Sequence, residues 1–158
     1  MGKSKSYDWS QFIVKIDLKV SSSKVFQAWT DERKIVKWFV EKANIEPKKN
    51  GRLYLEWLTG GNSDDKIIAI RKNSLFHFPF GPDGEEVKVK IRKITGGSVC
   101  EIHQFNMKTG PMDKVNWHMD CRAGWTFFLT NLKAYLEHDL DLRSRNPKRS
   151  YKHGFVNS

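Results

Sequence analysis

Residues 121–136 read CRAGWTFFLTNLKAYL, a run in which apolar side chains recur every three or four positions. The members of this apolar stripe are Cys121, Trp125, Phe128, Leu129, Leu132 and Leu136. Such spacing puts side chains on one face of an α-helix. We therefore predict one long helix from Asp113 or Val115 to His138. A stripe this wide needs a large apolar surface to cover it.

The rest of the chain supplies that surface as strands. Residues 12–20 alternate apolar and charged side chains, which is typical of a half-buried strand. Two short helices follow, with N-caps among residues 21–23 and at Thr30 or Asp31. Turn residues then separate six further predicted strands, at residues 43–47, 52–58, 66–71, 75–80, 87–92 and 99–107. Short connections favour antiparallel pairing.

These elements predict an α+β fold in the order β-α-α-β6-α, with a curved antiparallel sheet around the long C-terminal helix. The predicted domain covers residues 10–143. A polar N-terminal tail, residues 1–9, precedes it, and a basic C-terminal tail, residues 144–158, follows it.

The composition indicates a packed domain without a membrane span. Hydrophobic residues make up 39% of the 158 residues and aromatic residues 13%, which is richer than a disordered chain. No stretch approaches the ~20 apolar residues of a membrane-spanning helix, and residues 1–7 lack the apolar core of a secretory signal. The two cysteines, Cys100 and Cys121, are too few for a disulfide framework. We therefore expect a cytoplasmic protein without membrane insertion.

The net charge of +10 is concentrated at the ends of the chain. Lys3 and Lys5 precede the predicted domain, and no acidic residue follows Asp141. The basic residues beyond it are Arg143, Arg145, Lys148, Arg149 and Lys152. We interpret this end as a solvated, mobile terminus, with a tether to an anionic partner as the alternative. Charge located in this way does not predict a nucleic-acid groove.

Three short motifs narrow the fold to one family. Residues 25–39 read VFQAWTDERKIVKWF, residues 100–104 read CEIHQ, and Gly124-Trp125 precede Leu129 and Leu132. They resemble the opening, the last strand and the final helix of a START-like family within the SRPBCC superfamily. That family is named after the activator of the heat-shock-protein-90 ATPase. The resemblance extends over about residues 10–143.

The resemblance implies the helix-grip fold of START-like and Bet v 1-like proteins. Relatives in the wider superfamily bind lipids, sterols, polyketides or plant hormones in a cavity between sheet and helix. Our first hypothesis is therefore a binding protein for a small hydrophobic or aromatic ligand, whose identity the sequence does not give. Fold alone does not settle function.

Two other hypotheses follow from the same resemblance. One is a co-chaperone-like interaction module that contacts a chaperone or client protein through its surface. The co-chaperone itself carries a separate N-terminal domain for much of its chaperone binding, and 158 residues leave no room for that domain. The other is a cyclase-like or hydrolase-like enzyme that uses the same cavity.

We expect the cavity walls to come from bulky residues on the inner faces of the sheet and the helix. The candidates are Trp38, Trp57, Phe76, Phe78, Trp117, Trp125 and Leu129. Gln104 joins them, because a period of two puts it on the same strand face as Cys100 and Ile102. Two alternatives stay open: the aromatic side chains fill the core, and Gln104 makes a structural hydrogen bond.

No motif predicts a metal, a cofactor or a catalytic residue. Cys100, His103, His118 and Cys121 are metal-ligating residue types, but a regular strand turns His103 away from Cys100. The sequence has no C-x-x-C or H-E-x-x-H spacing, no G-x-S-x-G and no phosphate-binding loop. We therefore expect no metal site, no cofactor site and no catalytic residue from local sequence motifs.

Overall fold

The computed structural model describes residues 2, 5–58, 60–108, 113–149 and 154–156. The elements are β1 (Phe12–Leu18), α1 (Ser22–Thr30), α2 (Glu32–Ile35), β2 (Lys42–Ile45), β3 (Arg52–Glu56), β4 (Asn62–Lys66), β5 (Ala69–Arg71), β6 (Leu75–Pro79), β7 (Glu86–Ile94), β8 (Gly97–Phe105) and α3 (Lys114–His138). Pro111 and the tail residues Lys3 and Lys152 lie outside the described residues.

The strands form two antiparallel sheets that pack against α3, and this arrangement confirms the predicted α+β helix-grip fold. The larger sheet has the order β1-β8-β7-β6-β5, and the smaller one has the order β2-β3-β4. In the larger sheet, Val87 and Val89 of β7 lie directly opposite Gln104 and Ile102 of β8, respectively. All four side chains are buried, because alternate residues of paired strands share one face. That face meets the helix.

The helix α3 runs from Lys114 to His138, as its periodicity predicts. Trp125, Leu129 and Leu132 of the apolar stripe are each at most 3% exposed. Burying one such side chain contributes about 1.5–3 kcal/mol. Among the described residues, no helix is both long and apolar enough to cross a bilayer.

The described part of the chain forms eight strands rather than the seven that the pattern predicts. Residues 66–71, predicted as one strand, are divided between β4 and β5. The two residues in between bond to different sheets. The N–H of Ile67 donates to the carbonyl of Gly51, next to β3, and that of Ile68 to the carbonyl of His77 in β6, both at 2.9 Å. The predicted single strand is therefore wrong, because its backbone changes sheets midway.

Both short helices begin at capped residues, as predicted. The Ser21 hydroxyl accepts from the N–H of Lys24 at 3.3 Å, and the Asp31 carboxylate accepts from the N–H of Arg33 at 2.9 Å. Side-chain acceptors of this kind satisfy donors that have no partner within the helix. The second helix ends at Ile35, so residues 36–41 form a turn rather than a longer helix.

Side chains from the C-terminal part of the chain hold this turn. Arg143 donates to the carbonyl of Val36 at 2.9 Å and to that of Val40 at 3.1 Å. The amide of Asn131, on α3, donates to the carbonyl of Trp38 at 2.7 Å. Buried carbonyls need such partners. We call this set of three hydrogen bonds the carbonyl clamp.

Two residues of the predicted N-terminal tail pack against α3. The ring nitrogens of His118 lie 2.8 Å from the Tyr7 hydroxyl and 3.1 Å from the carbonyl oxygen of Trp9. Both aromatic rings meet the imidazole edge-on, with centroids 5.2 Å apart. The imidazole of His118 is itself buried. The segment before β1 therefore covers the first turns of α3.

Candidate ligand-binding cavity

A cavity of about 430 Å³ opens beside Trp125, between α3 and the smaller sheet. Its lining residues are Phe39, Trp57, Gly61, Asn62, Phe80, Cys121, Gly124, Trp125 and Phe128. Gly61 and Asn62 are exposed, so the cavity meets solvent at the turn between β3 and β4. None of the lining residues carries a full charge at neutral pH.

Five aromatic side chains of the lining form a closed series of ring contacts, which we call the aromatic circuit. Phe39 lies 5.7 Å from Trp57, and Trp57 lies 6.1 Å from Phe80, measured between ring centroids. Phe80 is 4.9 Å from Trp125, which is 6.5 Å from Phe128. Phe128 returns to Phe39 at 4.8 Å. Each such pair contributes about 0.5–1.5 kcal/mol beyond its buried area, so the contacts stabilise the shape of the wall.

Local sequence explains how these rings come together. Phe76 and Phe78 alternate along β6 and Phe80 follows directly after its end, with successive ring centroids 4.8 and 6.3 Å apart. The first two are buried in the core, and Phe80 lies at the strand end where the cavity begins. Trp125 and Phe128 are three residues apart on α3 and thus neighbours on its surface.

The structure places the sequence-predicted wall residues in three environments. Trp57 and Trp125 line the cavity. Four others are buried in the core: Trp38, Phe76, Phe78 and Leu129. Gln104 and Trp117 belong to a hydrogen-bond network behind the wall. Contact of any of these residues with a ligand stays a prediction.

Three phenylalanines and one cysteine of the lining were not among the candidates. Phe80 continues the alternation of Phe76 and Phe78, and Cys121 and Phe128 belong to the apolar stripe, so periodicity carried a signal for these three. Phe39 lies in the irregular turn after α2, where no period applies. Only the tertiary arrangement brings it to the cavity.

A buried carboxylate organises the polar groups behind the wall. Glu85 is 1% exposed and accepts hydrogen bonds from the indole N–H of Trp117 at 2.7 Å and from the Gln104 amide at 3.0 Å. The Gln104 oxygen accepts from the indole N–H of Trp125 at 2.8 Å. Burial raises the pKa of Glu85, while the bonds from Trp117 and Gln104 oppose that shift. We call these four residues the Glu85 network.

The one thiol of the cavity lining is not activated as a nucleophile. Burial raises the pKa of the Cys121 thiol to about 12, with the nearby Glu85 charge adding to the effect. A thiol with so high a pKa is a poor nucleophile at neutral pH. Cys100 is buried in the core, and its pKa is also raised by burial to about 12. In the described part of the chain, no group of three or more His, Cys, Asp or Glu side chains is placed to hold a metal ion.

An antiparallel sheet that grips a C-terminal helix around an apolar cavity defines a helix-grip protein. The particular family follows from the sequence. Residues 19–137 match the family model described as Activator of Hsp90 ATPase homolog 1-like protein, and the chain belongs to that family. This match confirms the family predicted from the motifs. No curated protein matches the chain.

Solved structures from several bacteria share the fold. A protein from Staphylococcus saprophyticus is 22% identical with a TM-score of 0.76, over 84% of this chain and 96% of that one. A protein from Mesorhizobium loti is 19% identical with a TM-score of 0.70, over 82% and 99%. The Aha1 dimer from Colwellia psychrerythraea, solved in solution, is 19% identical with a TM-score of 0.71, over 81% and 96%. At these identities the likeness shows the fold alone.

Proposed function

We propose that this protein binds a small apolar or aromatic ligand in the cavity beside Trp125. The observation that carries the proposal is the aromatic circuit, which walls a cavity of about 430 Å³ with uncharged groups. Ligand sites in proteins typically enclose about 300–1,000 Å³ and are lined mainly by apolar and aromatic side chains. Space left open among side chains that otherwise pack closely supports this proposal.

Gly124 allows a test that fills the cavity without disturbing the fold. It lies on α3 in the cavity lining, and a Cβ added there meets no atom within 4 Å. The variant Gly124→Leu should occupy the cavity, while the better helix propensity of leucine offsets any loss of stability. The matched control is Ala123→Leu, at the neighbouring exposed position of the same helix.

The measurement is binding of N-phenyl-1-naphthylamine, a neutral aromatic fluorophore, together with native mass spectrometry of the freshly purified protein. The wild type and Ala123→Leu should bind the fluorophore, and Gly124→Leu should not. A co-purified small molecule should be present in the first two proteins and absent from the third. Equal fluorophore binding by all three proteins would show that the cavity is not the binding site.

Family membership supports a second candidate function, a co-chaperone-like interaction with a heat-shock-protein-90 ATPase. It uses the surface of the domain, so its binding to that ATPase should survive Gly124→Leu. Retained ATPase binding with no ligand in the wild type would favour this second function. A cyclase or hydrolase would instead convert its ligand, so turnover would distinguish an enzyme from a carrier.

We also propose a cytoplasmic location. Cys100 and Cys121 are free thiols, which suits a reducing compartment. Fractionation of cells that express the native protein tests this, and recovery from a secreted or periplasmic fraction would contradict it.

A further inference from the structure

The Glu85 network has a single hydrogen-bond direction. An indole N–H only donates, so the bond from Trp125 requires the oxygen of the Gln104 amide to face that indole. The NH₂ group of Gln104 must then face Glu85, where it donates at 3.0 Å. The indole of Trp117 donates to the other carboxylate oxygen at 2.7 Å. Donors thus converge on Glu85 from two elements, β8 and α3.

A carboxylate is the one side chain that matches this arrangement, because it offers two acceptor oxygens and no donor. The backbone is also shaped around it. A Cβ at Gly81 would lie 2.2 Å from the Glu85 carboxylate, and Gly81 has a φ of +102° that favours glycine. The turn between β6 and β7 therefore closes directly over the carboxylate.

The network reaches the cavity through one member. Trp125 lines the cavity and is part of the aromatic circuit, whereas Glu85 and Gln104 are absent from the lining. Rotation of the Trp125 indole would break its 2.8 Å bond to Gln104 and leave a buried amide oxygen without that donor. Such a loss costs about 1–3 kcal/mol. The orientation of this wall residue is therefore coupled to a carboxylate that does not touch the cavity.

We propose that Glu85 is a positioning residue for the cavity, which through Gln104 holds the indole of Trp125 in the orientation that binds ligand. The inference rests on the ligand-binding function proposed above. Glu85 acts on affinity without contacting the ligand, and its role depends on its being an acceptor at both oxygens.

The test exchanges the two polar partners. In Glu85→Gln, an amide replaces the carboxylate and its NH₂ group opposes a donor from Gln104 or Trp117. The double variant Glu85→Gln with Gln104→Glu restores the three side-chain bonds of the network. Trp117 then donates to Gln at 85, which donates to Glu at 104, which accepts from Trp125. The matched control is Glu86→Gln, because Glu86 pairs with His77 instead, at 2.5 Å.

Two readouts are measured: the indole N–H resonances of Trp125 and Trp117 by nitrogen-15 NMR, and affinity for N-phenyl-1-naphthylamine. The Trp125 resonance is identified by its loss in Trp125→Phe. Glu85→Gln should shift both resonances and weaken binding about tenfold, the size that one unpaired buried donor implies. The double variant should recover both readouts, and Glu86→Gln should leave them unchanged.

A further variant removes the bonds of Gln104 and leaves the bond between Trp117 and Glu85, and it keeps the proposal testable if Glu85→Gln fails to fold. Gln104→Leu should move the Trp125 resonance, leave that of Trp117 in place and weaken binding of the fluorophore. Unchanged indole resonances and affinity in Glu85→Gln, or no recovery in the double variant, would overturn the role of Glu85. If the wild type fails to bind the fluorophore while the resonances respond as expected, the proposed function falls instead.

Discussion

Replacing Arg143 with methionine tests whether the carbonyl clamp is part of the folded domain. The Arg143 side chain is 4% exposed and pairs with the Asp141 carboxylate at 2.8 Å. It also donates to the carbonyls of Val36 and Val40. Methionine keeps most of the apolar stem, so packing is largely retained. The two carbonyls lose this donor. Asp141 loses the guanidinium, although Asn131 and the backbone N–H at position 143 still donate to it.

The magnitude follows from these partners. A buried carbonyl left without a donor costs about 1–3 kcal/mol, and removing one member of a buried ion pair costs about 3–5 kcal/mol. The two contributions overlap, because one guanidinium serves all three acceptors, and Asp141 is partly exposed. We expect the free energy of unfolding to fall by about 3–5 kcal/mol.

Urea unfolding, followed by circular dichroism, measures this loss. If the free energy of unfolding falls with urea concentration at the same slope as in the wild type, the folded state is intact. The matched control is Arg145→Met. Arg145 bonds to Glu41 at 2.7 Å but its side chain is 47% exposed, and exposed ion pairs contribute at most about 1 kcal/mol. If Arg143→Met costs no more than Arg145→Met, the clamp does not stabilise the domain.

Three further predictions concern single groups. Gly124→Ala should raise the free energy of unfolding by about 0.5–1 kcal/mol, because alanine replaces glycine within a helix and meets no neighbour; a lower melting temperature would contradict this. The Cys121 thiol, with a pKa of about 12, should react slowly with a disulfide reagent at pH 8 and much faster in urea, and equal rates measured by absorbance would refute its burial. Burial raises the pKa of Asp141, but hydrogen bonds from Arg143 and Asn131 outweigh that effect and lower it overall. Its stabilising contribution is therefore present above pH ~4 and lost as the pH falls further, so acid unfolding should be shallower in Asp141→Asn.

The fold was predictable where local pattern and tertiary structure agree. The apolar stripe of α3 and the alternation along β1, β7 and β8 each belong to a continuous run of sequence. The break between β4 and β5 has no such local origin. It depends on bonds from Ile67 and Ile68 to Gly51 and His77, residues that only the folded chain brings near.

The residues of the cavity and of the network behind it also differ in how far the sequence predicts them. Trp57 and Trp125 were candidates because large aromatic residues on inner faces are visible in sequence. Glu85 was not, because it follows Pro82-Asp83-Gly84, a turn signal that normally marks exposed chain. Its burial results from α3 bringing Trp117 over that turn. Burial that depends on a helix distant in sequence produces no periodic pattern around the buried residue.

The change of sheet at Ile67 and Ile68 has a consequence for the width of the cavity. Trp57 follows β3 of the smaller sheet and Phe80 follows β6 of the larger one, so the wall of the cavity is built from both sheets. Leu53 and Leu55 of the smaller sheet pack in the same core as Phe76 and Phe78 of the larger one, so that core sets the distance between the two parts of the wall. Ile67 is fully buried at the point where the chain changes sheets. We therefore expect a smaller side chain there to change the width of the cavity from a position outside its lining.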